Sequence, residues 1–83
     1  MAEIKIYIRP LCSFSHKLMK LLDKEKIDYD SVDLSKDVKS RGRIYHDEEN
    51  HIPVPQVEIN GRLIFDYSTE ENLVEEIKEL LKK

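Results

Sequence analysis

The sequence predicts an α/β fold in which a four-stranded mixed sheet is flanked by helices. Two observations in the chain support this prediction. An apolar strand pattern gives way to a helical pattern and then to a second strand pattern, and an Asn-Gly turn later joins two short apolar runs before a capped helix. The predicted order is therefore β-α-β-α-β-β-α. With 83 residues, the chain is long enough for one domain, which we place at 1–83.

The first part of the chain predicts a parallel β-α-β unit. Residues 3–8 alternate isoleucine with Lys5 and Tyr7, as a strand does, and residues 28–34 predict a second strand. Between them, residues 13–25 predict a helix with an apolar stripe formed by Phe14, Leu18, Leu21 and Leu22. Because a whole helix connects the two strands, they should pair in parallel.

The rest of the chain predicts a hairpin and a final helix. Residues 35–50 are charged and weakly periodic, which indicates a short surface helix. Residues 57–59 and 63–65 flank Asn60-Gly61, a pair that readily takes the positive φ angles of a two-residue hairpin turn. Residues 68–71 resemble a capping box opening a helix. Its expected apolar face consists of Leu73, Val74, Ile77, Leu80 and Leu81.

Composition narrows the classes of function. Hydrophobic residues make up 40% of the chain and charged residues 37%, as in a soluble globular protein without a membrane span. The net charge of -3, with acids and bases interspersed, argues against nucleic acid as a partner. The first residues lack the pattern of a secretion signal. A single cysteine forms no internal disulfide, so we expect the reducing cytoplasm as the setting. We also expect a monomer.

Cys12 lies where the first strand gives way to the first helix. Free backbone N–H groups at a helix start stabilise negative charge, so the pKa of this thiol should fall below the value of about 8.5 for an unperturbed cysteine. Arg9 and Lys17 are expected near the sulfur, where they would favour the thiolate. The alternative is a buried cysteine that acts as a small hydrophobe.

Ser15 and His16 follow Cys12 by one helical turn. The Ser15 hydroxyl should lie near the sulfur, at the position where a two-thiol enzyme keeps its second cysteine. It can donate a hydrogen bond to the thiolate, but it cannot resolve a disulfide. Ser15 is either native to a one-thiol site or a replacement for a resolving cysteine. For His16 we expect a solvated side chain rather than a metal ligand beside Cys12.

With Cys12 to Ser15 and Val54 to Gly61 both present, the sequence resembles a glutaredoxin, a family with the thioredoxin-like fold, and the similarity covers essentially the whole chain. The resemblance implies a glutathione-dependent thiol–disulfide oxidoreductase with Cys12 and Ser15 as catalytic residues. Glutathione would be the co-substrate and glutathionylated proteins the partners, in electron transport and cell redox homeostasis. No metal is expected in the monomer.

The resemblance also implies a glutathione site. Pro55 should be cis, and the backbone of Val54 should pair with the cysteine of glutathione like an added strand. The last helix should receive the γ-glutamyl carboxylate, although a purely structural cap explains Ser68 equally well. Arg9 matches a basic residue of the family that meets the glycyl carboxylate, assisted by Arg41 or Arg43. The expected binding set is Arg9, Phe14, Arg41, Val54, Pro55, Asp66, Tyr67, Ser68 and Thr69.

The sequence departs from the family pattern at three places. Ser13 stands where many members have proline, Pro53 where threonine or serine is usual, and Phe65-Asp66 where a Gly-Gly pair lets glutathione approach the backbone. Cys12-Ser13-Phe14-Ser15 is also similar to the C-G-F-S signature of monothiol glutaredoxins. Those proteins bridge a [2Fe-2S] cluster with glutathione, which makes a cluster carrier the alternative function.

Overall fold

The fold contains a four-stranded sheet with helices on both faces. The computed structural model describes residues 4–49 and 51–82. Its elements in chain order are β1 (Ile4–Ile8), α1 (Ser13–Lys24), β2 (Asp30–Asp33), a 3₁₀ helix (Val38–Arg43), β3 (Gln56–Ile59), β4 (Arg62–Ile64) and α2 (Glu70–Leu81). The predicted order and fold class are confirmed.

The sheet has the strand order β2-β1-β3-β4. β1 pairs in parallel with β2, as the intervening helix predicts, and antiparallel with β3, which pairs antiparallel with β4. The turn between β3 and β4 has the positive φ angles expected of an Asn-Gly hairpin, 50° at Asn60 and 85° at Gly61.

Alternation along the strands produces two apolar layers. Ile4, Ile6 and Ile8 point to the face that α1 and α2 cover, where they pack with side chains of both helices. Tyr7 points to the opposite face and packs with Leu34 and Ile44 beside the 3₁₀ helix. Burying a large aliphatic side chain in such a layer contributes roughly 1.5 to 3 kcal/mol. The sheet therefore fixes the carboxyl end of β1, from which Cys12 follows.

The buried face of α1 differs from the predicted stripe. Leu18 and Leu22 are fully buried, and Leu21 packs at the edge of the core, but Phe14 is 59% exposed. Ser15 is buried in its place. The interpretation of Phe14 as a core residue is therefore wrong: it lies about 100° around the helix from Ser15 and so falls off the buried face.

Several boundaries are shorter than predicted. α1 ends at Lys24, β2 covers only Asp30–Asp33, and the predicted helix in residues 35–50 is a single 3₁₀ segment. Positions 3 and 50 of the predicted elements lie outside the described residues. No helix in the described parts of the chain has the length and apolarity that crossing a bilayer requires.

The start of α2 is also displaced from the prediction. The helix begins at Glu70, and its N-cap is Thr69, whose side chain accepts a hydrogen bond from the Asn72 amide. Ser68 instead accepts a hydrogen bond of 2.6 Å from the Asn72 side chain. The predicted Ser68–Glu71 capping box is therefore wrong by one position, although a hydroxyl side chain does cap the helix.

Candidate active site

Cys12 is the N-cap of α1. The connection Arg9-Pro10-Leu11 leaves β1 in a turn closed by the Cys12 amide, which donates to the Arg9 carbonyl at 3.1 Å. The Cys12 carbonyl then accepts the bond from His16 N at 3.2 Å that starts the helix. The thiol is free and partly exposed. The turn and the helix therefore hold the sulfur at the end of the sheet, beside the first free N–H groups of α1.

The pKa of the Cys12 thiol lies below its ordinary value. Burial is the largest influence and raises this pKa, because it removes water from the thiolate. The Ser15 hydroxyl and the backbone N–H groups of Ser15 and Phe14 donate to the ionised sulfur and so lower the pKa. Together they lower it by more than burial raises it. The charge of Glu70 raises the pKa. The predicted effect of the helix start on the thiol is confirmed.

Ser15 is the buried partner of the sulfur. The residue is fully buried, and its hydroxyl oxygen makes no hydrogen bond of ordinary geometry to any described residue. Leaving a buried hydroxyl unpaired costs about 1 to 3 kcal/mol. The ionised sulfur supplies an acceptor for this hydroxyl, which is why Ser15 lowers the pKa of Cys12. Ser15 is thus better satisfied when the thiol is ionised than when it is protonated.

The Val54–Pro55 peptide faces the sulfur. This bond is cis, as the family resemblance implies, and the Cys12 thiol lies 4.0 Å from the Val54 carbonyl oxygen. Tyr67 donates a hydrogen bond of 2.5 Å to the Pro55 carbonyl and so links the Val54–Pro55 segment to the residues that precede α2. Burial and the charges of Glu70 and Cys12 raise the pKa of Tyr67 strongly, so its hydroxyl remains a donor.

Gln56 anchors the same segment from the other side of the sheet. It is fully buried, and its side-chain oxygen accepts from the Tyr45 amide at 3.0 Å. Its side-chain nitrogen donates to the carbonyls of Tyr45 and Pro53 at 3.0 and 2.9 Å. These bonds fix the Pro53 to Pro55 stretch against residue 45. No local sequence signal marks Gln56, because its Tyr45 partner is eleven residues away.

Two basic side chains lie together at the turn that follows β1. Arg9 and Arg41 line a cavity of 390 Å³ together with Pro10, Leu11 and Ser35. Arg41 is held in place by a bond of 2.8 Å from its Nε to the Leu34 carbonyl. The structure therefore brings together the two arginines predicted for one carboxylate.

Acidic side chains lie at the start of α2. Glu70 is only 8% exposed, and its charge acts on both Cys12 and Tyr67. Lys17 does not support the sulfur as predicted; its amine lies 3.9 Å from Glu70 and 3.2 Å from Glu71. Sequence reasoning missed Glu70, because a glutamate in the first turn of a helix is an ordinary surface feature.

The remaining predicted positions are more exposed. Phe65 is stacked on Tyr45, with ring centroids 4.0 Å apart, so an aromatic pair occupies the position of the family's first glycine. Asp66 next to it is exposed. Phe14 projects from the first turn of α1, and His16 is held by a bond of 2.7 Å between its Nε2 and the Pro10 carbonyl.

This fold, with a thiol of lowered pKa at a helix start opposite a cis-proline, defines the thioredoxin-like class. A family model described as Glutaredoxin matches residues 4–64, so the chain belongs to the glutaredoxin family. Its members are generally oxidoreductases that use glutathione. The crystal structure of a point mutant of the thioredoxin-like protein BC3987 superposes with a TM-score of 0.70 at 24% identity, covering 95% of this chain and 99% of that one. No curated protein matches the sequence.

Proposed function

We propose that this chain is a glutathione-dependent thiol–disulfide oxidoreductase that removes glutathionyl groups by a monothiol mechanism through Cys12. The observation that supports this most directly is the lowered pKa of a partly exposed thiol facing the cis Val54–Pro55 peptide. The thiolate is the nucleophile in disulfide exchange, so a lowered pKa increases the reactive fraction at neutral pH.

The proposed cycle has two exchanges. In the first, the Cys12 thiolate attacks the glutathione sulfur of a protein–glutathione disulfide; the Cys12–glutathione bond forms, and the protein leaves as a thiolate. In the second, the thiolate of another glutathione attacks the bound glutathione sulfur, giving oxidised glutathione and restoring the Cys12 thiolate. Ser15 would stabilise Cys12 as nucleophile and as leaving group, since its hydroxyl can donate to the ionised sulfur.

The proposed glutathione site spans both sides of the thiol. The Val54 backbone would pair with the cysteine of glutathione, beside Pro55. Arg9 and Arg41 would bind the glycyl carboxylate in the cavity that they line. The start of α2 would receive the γ-glutamyl group. There Ser68 and Thr69 each accept a hydrogen bond from Asn72 and so keep their own hydroxyl hydrogens for donation. Phe14, Asp66 and Tyr67 complete the proposed set.

The proposed setting is a monomeric single domain in the cytoplasm, acting on glutathionylated proteins or small disulfides. The sole cysteine supports a reducing compartment, because proteins of oxidising compartments are often stabilised by internal disulfides and this chain can form none. Glutathione is a co-substrate here rather than a resident cofactor.

The test is turnover of a glutathionylated peptide with glutathione as reductant. We expect activity in the wild-type chain, its loss in Cys12→Ser, and its retention in Ser13→Ala, which changes an exposed hydroxyl next to the thiol. A parallel reconstitution with iron, sulfide and glutathione should leave a colourless monomer. A coloured dimer without turnover would overturn the proposal in favour of a cluster carrier.

A further inference from the structure

The outer face of α1 carries a groove that begins next to the thiol and that the proposed cycle does not use. It has a volume of 560 Å³ and extends along the helix from Ser13, the residue after Cys12, to Lys24, the last residue of α1. Its lining residues are Ser13, His16, Lys17, Lys20, Leu21 and Lys24. The groove therefore leads away from the reactive position along one helix.

The groove combines an apolar floor with cationic edges. Leu21 is partly buried and packs against the core, whereas Lys20 and Lys24 are exposed. Lysine stems cover apolar surface while their ammonium groups stay in water. A peptide chain lying in this groove would contact hydrocarbon below and meet positive charge beside it.

Two of the lysines have no acidic partner. Lys17 lies between Glu70 and Glu71, at 3.9 and 3.2 Å. Lys20 and Lys24 form no ion pair with any residue in the described part of the chain. Residues four apart on a helix are neighbours, and like charges at this spacing repel. An anionic ligand between Lys20 and Lys24 would relieve that repulsion.

The charges of the two helices are segregated. α1 has three lysines and one aspartate, whereas α2, which packs against it, has five glutamates and one lysine. A long polyanion such as nucleic acid would meet the glutamates of α2 as it approached α1. A short acidic segment confined to the groove would not. The charge pattern therefore favours an acidic peptide over a nucleic acid.

The length of the groove determines where the acidic residues of such a peptide should lie. A helix rises about 1.5 Å per residue, so Lys20 and Lys24 are roughly 12 and 18 Å from Cys12 along the axis of α1. An extended peptide advances about 3.3 Å per residue, so it reaches these lysines about four and six residues from the cysteine that meets the sulfur. Residues two apart in an extended chain point to the same side.

We propose that this groove is a docking site for protein substrates that carry an acidic segment about four to six residues from the reacting cysteine. The proposal rests on the proposed function and narrows its substrate class from glutathionylated proteins in general to those with such a segment. It also predicts a preference opposite to that of the whole molecule, because a chain with a net charge of -3 should repel an acidic peptide.

The test compares glutathionylated peptides that differ only in charge. One set carries glutamate four and six residues before or after the cysteine, and the matched set carries glutamine at the same places. In each turnover the Cys12 thiolate takes the glutathionyl group and the peptide leaves as a thiolate, and a second glutathione then regenerates Cys12. The readout is the ratio of kcat/KM for the glutamate peptide to kcat/KM for the glutamine peptide.

For one of the two orientations, the wild-type ratio should be about fivefold at low ionic strength, the combined effect of two exposed ion pairs. The double variant Lys20→Gln/Lys24→Gln should bring the ratio to about 1.5 or below, as should about 1 M salt, where charges are screened beyond about 3 Å. Lys36→Gln/Lys39→Gln is the matched control, because it removes two exposed lysines beside the 3₁₀ helix and should keep about the wild-type ratio.

An NMR titration tests docking without turnover. The glutamate peptide with serine in place of its cysteine should shift the amide signals of the α1 residues that line the groove, and the glutamine peptide should shift them less. Circular dichroism of each variant confirms that it is folded, and sedimentation of the wild-type chain reports whether it self-associates.

Different failures point to different conclusions. Equal rates for the two peptide sets would overturn the docking proposal and leave the proposed function standing, and an equal loss of preference in Lys36→Gln/Lys39→Gln would reject the groove as its source. Absence of any turnover would overturn the proposed function, and the NMR titration would then decide the docking proposal alone. Self-association lost in Lys20→Gln/Lys24→Gln would assign the groove to a second copy of the chain, and tighter binding of a single-stranded oligonucleotide would assign it to nucleic acid; either result would refute the proposal.

Discussion

Replacing Ser15 by alanine should raise the pKa of Cys12 by about one unit. The substitution removes the buried hydroxyl that donates to the ionised sulfur and leaves the backbone N–H groups of Ser15 and Phe14 in place. A hydrogen bond to a charged group contributes about 1.5 to 3 kcal/mol, and one pKa unit corresponds to about 1.36 kcal/mol. We take the lower end of this range because Cys12 is partly exposed to water, which replaces some of the lost interaction.

The assay is thiolate absorbance near 240 nm followed across a pH titration, with Cys12→Ser as the blank, since this chain has no other cysteine. The rate of alkylation by iodoacetamide provides an independent titration, because only the thiolate reacts. Ser13→Ala is the control, as it removes an exposed hydroxyl from the same turn. An unchanged midpoint in Ser15→Ala, or an equal shift in Ser13→Ala, would refute the role assigned to the buried hydroxyl.

The same substitution makes a prediction about stability. The native pKa of Cys12 is lowered from the ordinary value of the thiol, so ionisation stabilises the native protein at pH values above the pKa of the unfolded chain. This contribution disappears as the pH falls through the native pKa. Ser15→Ala should therefore be less stable than wild type by about 1 to 1.5 kcal/mol near pH 9.5, with no such loss near pH 6. Urea unfolding at the two pH values checks this, and an equal loss at both would contradict it.

Four further substitutions test the scaffold and the thiol. Thr69→Ala should destabilise the protein by about 1 kcal/mol, because it removes the side chain that caps α2. Ser68→Ala should destabilise it less, and thermal unfolding measures both variants. A larger loss in Ser68→Ala would show that Ser68, and not Thr69, caps the helix. Gln56→Leu should cost about 2 to 4 kcal/mol in urea unfolding, because it orphans the backbone groups that Gln56 pairs; a loss under about 0.5 kcal/mol would contradict this. Ser15→Cys should form an internal disulfide with Cys12 when treated with oxidised glutathione, detected as loss of two hydrogens by mass spectrometry, whereas a persistent glutathione adduct would contradict it.

The elements that could be predicted from the sequence are those marked by a regular spacing of apolar residues or by a characteristic turn sequence. The isoleucines of β1 alternate, Leu18 and Leu22 repeat at helical spacing, and Asn60-Gly61 takes the backbone angles that its residues favour. The reactive environment of Cys12 was also predictable, since a strand-to-helix junction supplies free N–H groups within three residues. These features depend on neighbours close in sequence.

Other features depended on which surfaces the fold covers. Phe14 and Ser15 are adjacent in the first turn of α1, and only the docking of that helix decides that the serine is buried and the phenylalanine exposed. Thr69 rather than Ser68 caps α2, although both hydroxyls suit a cap. Neither choice carries a local signal large enough to settle it.

Residue order and composition were sufficient to define the strands, the main helices, the hairpin and the nucleophilic thiol, because propensity, periodicity and turn chemistry act over a few residues. Long-range packing placed Glu70 of α2 against Lys17 of α1, bonded Tyr67 to Pro55, and tied Gln56 to Tyr45. Those contacts join residues from 11 to 53 positions apart, and their energies exist only once the sheet and helices have assembled. The reactive thiol is therefore determined by residues close in sequence, whereas the charge and shape that surround it arise from the assembled fold.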